Sequence, residues 1–267
     1  MKFSYLPFCL FLFAACNFGN KQPQQVASTP VIDTPKVAVD TTMNFPEIAA
    51  IPSGDHFPGS LSSLGICHPE EFKSADTASK WYAIYRTDSN YYYTSILLQF
   101  SRVDDPVLEG EKGWQIDAPN TKDSVISLVN AVPALQEGII PAISLRNTTL
   151  KPGDTIAFKF NGADYKLYAT GNTVKRPGDE TIYHYRLFLV GMKDGGQITQ
   201  LLVQHSYLDD SIPEIMLAGD MDGDGFPDIL MNTTYHYNLY RPTLFLSSGR
   251  SKTELLHVVA MNDFVGC

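Results

Sequence analysis

The chain has no apolar run long enough to cross a bilayer as a helix: its most apolar stretch, within residues 1–16, holds about a dozen such residues where a span needs about 20. Basic residues are scarce. Only 20 Lys and Arg stand against 29 Asp and Glu, for a formal net charge of −9, and no basic stripe interrupts the acid excess. Such a chain is a poor candidate for binding nucleic acid or anionic lipid headgroups. The common catalytic signatures are absent too. None of His56, His68, His184, His205, His236 and His257 belongs to an HExxH or another close ligand pair, and no GxSxG elbow, GxxxxGK[ST] loop or helix-opening GxGxxG occurs. Two remnants of catalytic chemistry stay on paper: Cys67 beside His68, and the acid pairs Asp104-Asp105 and Asp209-Asp210. Adjacent residues on a strand point to opposite faces, so these acid pairs read as solvated turns rather than as glycosidase carboxylates. No catalytic residue is assigned.

What is present begins with an address. Residues 1–16 carry Lys2, a short apolar run broken by Pro7, and then Leu12-Phe13-Ala14-Ala15-Cys16. This ending resembles the lipobox of bacterial lipoproteins, with Phe13 where Leu is usual. The resemblance implies a signal peptide over 1–15 and lipidation at Cys16, hence export and attachment to the cell envelope, at the outer membrane on its periplasmic or surface side. The simpler alternative is an ordinary secretory signal cut near Ala15. Residues 16–55 are rich in Gln, Pro, Thr and Val without helical or alternating periodicity, and read as a disordered tether. With Cys9 lost in the signal and Cys16 lipidated, Cys67 and Cys267 remain. In an exported protein they read as one disulfide that closes a single domain.

Residues 56–267 read as one all-β domain. Aromatics make up 12% of the chain, with 14 Tyr, which suits broad β-surfaces. Hairpins are expected over residues 80–103, over 155–169 around Asn161-Gly162, and over 181–207 around residues 193–196. A short helix is expected at 69–73, and residues 104–117 read as a loop. About a dozen strands in antiparallel hairpins leave two architectures open, a β-sandwich or partial propeller-like sheets. The tripeptides Tyr183-His184-Tyr185 and Tyr235-His236-Tyr237 place two Tyr on one strand face and the His on the other. Tyr235, His236 and Tyr237 thus offer a ligand surface, such as one that stacks on sugar, or else cross-strand packing.

The strongest signal is Ile215 to Asn232, IMLAGDMDGDGFPDILMN. Asp220, Asp222, Asp224 and Asp228 hold positions 1, 3, 5 and 9 of a loop, with Gly225 at 6 and the Phe226 carbonyl at 7. That is the oxygen order a hard cation such as calcium takes in a tight turn. Position 12 is Met231 rather than Glu, and the flanks are short apolar runs, so the loop joins strands and is no EF-hand. The pattern DxDGDGxxD between strands resembles the FG-GAP or VCBS type of repeat found in integrin α-chain propellers and bacterial surface proteins. It implies calcium held by Asp220, Asp222, Asp224, Asp228 and the Phe226 carbonyl. The motif occurs here in a single copy. The whole reads as an envelope-anchored calcium-binding β-domain, a non-catalytic module with a protein or glycan partner or a structural role. The alternative is a periplasmic or surface hydrolase working through carboxylates.

Overall fold

Alternation of side chains between the two faces of each strand organises the computed structural model, which describes residues 57–88, 90–121, 124–177 and 179–266. The signal, Cys16, the tether and Cys267 lie outside the described residues. In chain order the first strands are β1 (Ser60–Ser62), β2 (Gly65–Cys67), β3 (Tyr82–Thr87), β4 (Asn90–Ser95), β5 (Gln99–Asp104) and β6 (Lys112–Asp117). Then come β7 (Ser124–Asn130), β8 (Gly138–Ile140), β9 (Thr155–Phe160), β10 (Ala163–Arg176), β11 (Asp179–Lys193) and β12 (Gly196–Leu208). The last are β13 (Glu214–Gly219), β14 (Asp228–Asn232), β15 (Leu239–Tyr240), β16 (Pro242–Leu246), β17 (His257–Met261) and β18 (Phe264–Val265). Every pairing between these strands is antiparallel.

The sheets run in the orders β12-β11-β10-β9, β13-β14-β16-β17, β1-β7-β3-β4-β8 and β2-β6-β5, with a small β15-β18 pair. Their side chains show how they stack. On the β13–β17 sheet, Ile229, Met231 and Phe245 enter one core with Leu167, Tyr185 and Leu187 of the long hairpins. Their strand neighbours Leu230, Leu244 and Leu246 enter a second core with Ile84 and Val129. Ala83 and Leu128, next along β3 and β7, enter a third with Cys67, Phe72 and Ile116. Strict alternation into two cores means that both faces of each inner sheet are buried. A sandwich buries one face per sheet. The chain is instead a succession of four sheets, which is why DILM and TLFL read as continuous apolar runs.

The start and end of the described chain meet. Gly59 bridges Ala260 in parallel, and its amide donates to the Val259 carbonyl at 3.2 Å. The Asn262 carboxamide donates to the carbonyls of Leu61 (3.1 Å) and Glu71 (3.3 Å).

Several local expectations are corrected. Residues 112–117 are a strand because Ile116 alternates inward to complete burial, although acids surround it. The helical turn is a 3-10 turn at Ser74–Ala78, after the segment with Pro69. Residues 91–103 split into β4 and β5, which belong to different sheets. Tyr183 and Tyr185 do not share a face: His184 adopts φ +53, and the β10–β11 register shifts between Thr170 and Asn172. This bulge turns both Ile182 and Tyr185 into the same core.

Candidate metal centre

The acidic loop joins β13 to β14 at one end of an inner sheet. Gly223 and Gly225 take φ +76 and +85, which a side chain would oppose, and these angles turn successive carboxylates inward. Asp220, Asp222 and Asp224 each bring a carboxylate oxygen within 4.8 Å of the others. The backbone holds them there: Asp220 accepts from the amides of Gly223 (2.7 Å) and Gly225 (3.0 Å), and Asp224 from the Phe226 amide (2.9 Å). Such converging oxygens are the donor set that a hard cation takes.

Asp228 stands behind this group rather than within it. Fully buried, it accepts from the amides of Met221 (2.7 Å), Asp222 (3.3 Å) and Ser247 (2.7 Å), engaging both its oxygens. Burial, with the charge of Asp222 adding to it, pushes its carboxyl up to about 7. The Phe226 ring is exposed and lies under the Arg250 guanidinium at 4.3 Å.

Three other parts of the chain grip the loop. From the turn after β16, Ser247 donates its hydroxyl to Asp224 (2.8 Å), and the Ser248 amide donates to Asp222 (3.3 Å). Arg250 reaches Asp224 at 3.2 Å and also donates to the Ser247 carbonyl. From the β9–β10 turn, Asn161 donates to the Gly225 carbonyl at 2.8 Å. From the β7–β8 connection, the Gln136 amide donates to the Met221 carbonyl at 3.1 Å, and its side chain packs on Gly223 so closely that a Cβ there would meet it at 2.5 Å. None of Asn161, Gln136, Ser247 and Arg250 was found by sequence reasoning. They lie 19 to 87 residues away from the loop residues they contact, and no local pattern links them.

The remaining candidates are spread out. His68 Nδ1 faces Asp105 at 2.6 Å and Nε2 faces the Val265 carbonyl at 3.0 Å, so the imidazolium donates to both; the bond to Asp105 raises the His68 pKa. Burial alone would raise Asp105, but bonds from His68 and the amides of Leu108 and Val107 outweigh it and hold the carboxyl at about 2. With both nitrogens taken, this pair positions the chain end. Asp104 points instead to Lys112. Cys67 has no disulfide partner among the described residues; it is buried to 1% exposure, and burial pushes its thiol up to about 11, which removes it as a ready nucleophile. Its expected bridge involves Cys267, outside the described residues. Tyr235, His236 and Tyr237 sit after β14 in a turn, not on a strand. Tyr235 packs on the core beside His205, His236 pairs with Asp209 at 2.9 Å, and Tyr237 is exposed.

No protein-family description, curated protein or solved structure matches the chain.

Proposed function

We propose that the chain is a lipid-anchored β-module of the bacterial cell envelope, stapled by calcium, that binds a partner or supports the envelope without catalysing a reaction. The observation that carries this reading is the convergence of Asp220, Asp222 and Asp224 to within 4.8 Å. Like charges this close oppose folding, and a hard cation among them converts that repulsion into a cross-link. The place suits a staple, because segments from the β9–β10 turn, the β7–β8 connection and the β16–β17 turn all end on this loop. The DxDGDGxxD pattern, with its likeness to FG-GAP or VCBS loops, supports calcium as the ion. Anchoring rests on the lipobox at Cys16.

Thermal melting of the protein in millimolar calcium and in chelator tests the staple, with Asp224→Ala as control. An ion at a hundred times its dissociation constant contributes about 2.7 kcal/mol, and a domain of this size then melts roughly 5–10 °C higher. The mutant should lose the shift. Equal melting of the wild-type protein in both buffers would sink the calcium reading.

A further inference from the structure

A cleft of about 870 Å³ opens between the β3–β4 hairpin and the connection from β7 to β8. Its size is that of a site for a small organic ligand. The apolar part is built on Tyr82 and Tyr93, whose rings stack at 5.0 Å, with Val132 and Leu135 beside them. The polar part is Lys80, Asn130, Gln136 and Glu137.

Three features mark this cleft as more than a surface dent. First, its polar groups are under-used within the domain. No described residue bonds the Asn130 or Gln136 carboxamide, and Glu137 engages only Oε2, through long bonds from Ser95 N (3.3 Å) and Thr94 Oγ1 (3.4 Å). Second, Ala131 in the wall adopts φ +56. Among the described residues, the other non-glycine residues with positive φ are Asp or Asn and His184 in its bulge, so a left-handed alanine marks strain held at this wall. Third, the exposed Lys80 lies over the Tyr82 ring, its Nζ 4.5 Å from the centroid. A flexible lysine is a cover that a ligand can displace.

The chemistry of the lining selects the ligand. Lys80 and Glu137 are the only charged groups in its lining and cancel, so the cleft carries no net charge that would select a ligand of either sign. Two carboxamides, a carboxylate and tyrosine hydroxyls supply donors and acceptors in similar number, and an aromatic face stands beside them. That combination fits a ligand with hydroxyls around its edge and C–H groups on its face. We infer that this cleft binds a short neutral oligosaccharide, its ring face replacing Lys80 on Tyr82 and its hydroxyls bonding Asn130, Gln136 and Glu137. This deepens the reading of the protein as a binding module; none of the calcium site's carboxylates lines the cleft, and Gln136, which also contacts Met221 and Gly223, touches both.

The test is calorimetric titration of the full chain, in a detergent without a sugar headgroup, with maltotriose, cellotriose and triacetylchitotriose, and with trigalacturonate as the anionic comparator. Each is run in calcium and in chelator. At least one neutral trisaccharide should bind with a Kd below about 1 mM, at least about tenfold tighter than trigalacturonate. Tyr82→Ala and Glu137→Gln should each weaken binding by about tenfold or more, as expected of groups at the centre of a contact. Tyr82 supports a core, so the exposed pair Glu137→Gln and Lys80→Ala keeps the test decisive if Tyr82→Ala does not fold. Lys80→Ala should leave melting unchanged and bind at least as tightly as wild type. No neutral binding at about 10 mM, a preference for trigalacturonate, or full affinity in Glu137→Gln would overturn the inference. Binding that persists in both buffers while calcium fails to shift melting would remove the staple and leave the glycan site standing.

Discussion

His205 and His68 carry opposite electrostatic roles that follow from what surrounds each ring. His205 Nε2 donates to the Thr233 carbonyl at 2.9 Å, and burial, opposed in part by that bond, lowers its pKa to about 4. In the unfolded chain the ring takes its proton near pH 6.5. Folding therefore excludes a proton between pH 6.5 and 4, and the native state loses stability as pH falls through that window. His68 works the other way: its raised pKa gives a contribution that is complete below 6.5 and fades as pH rises through the folded value. Denaturant titrations at pH 7, 6, 5 and 4 on wild type and His205→Gln separate the two, because only the former retains the acid-side slope. The wild type should lose on the order of 2 kcal/mol more than the variant across the window. Parallel profiles would mean that His205 titrates alike in both states.

Among the elements, β11 shows how a single irregularity sets a face. Regular alternation would put Tyr183 and Tyr185 together. The bulge at His184 instead buries Tyr185 fully, and its hydroxyl donates to the Leu150 carbonyl at 3.0 Å, where Leu150 is itself 1% exposed. Tyr185→Phe removes that donor and leaves a buried carbonyl unpaired, at a cost of about 1–2 kcal/mol. Tyr183→Phe alters a half-buried ring on the other face and should change stability by less than about 0.5 kcal/mol. Equal costs in chemical denaturation would mean that the bulge does not part the two rings as described. β6 teaches a related lesson. Trp114 and Ile116 alternate correctly for a strand, but two alternating apolar residues between Glu109, Glu111 and Asp117 are too weak a local signal to overcome the acids around them.

For the molecule as a whole, closure depends on a few polar contacts between the first and last described segments. Asn262 bonds the carbonyls of Leu61 and Glu71, and Glu71 accepts from the Val265 amide at 2.5 Å and from the His68 amide at 2.8 Å. Leu61 is fully buried, so losing its partner is costly. Asn262→Ala should destabilise the protein by roughly 1–3 kcal/mol, and amide exchange should quicken in β1 and β18 together. Quickening in β18 alone, with unchanged global stability, would show that the chain end frays independently and does not close the domain.

The sequence by itself determined the strand content, the hairpins at Asn161-Gly162 and at residues 193–196, and the acidic loop with its two glycines, because each is encoded within a dozen consecutive residues. Alternation, positive-φ turn residues and carboxylate spacing act through the local backbone and are visible there. Only the tertiary structure decided that the sheets follow one another four deep, since an apolar run such as DILM looks the same whether one sheet covers it or two. It also decided that Asp228 lies behind the other three acids, that Arg250, Asn161 and Gln136 surround the loop, and that Tyr82 and Tyr93 meet Asn130 and Glu137 across a cleft. Those contacts join residues brought together by long-range sheet packing, and nothing in the local sequence specifies a partner so far along the chain.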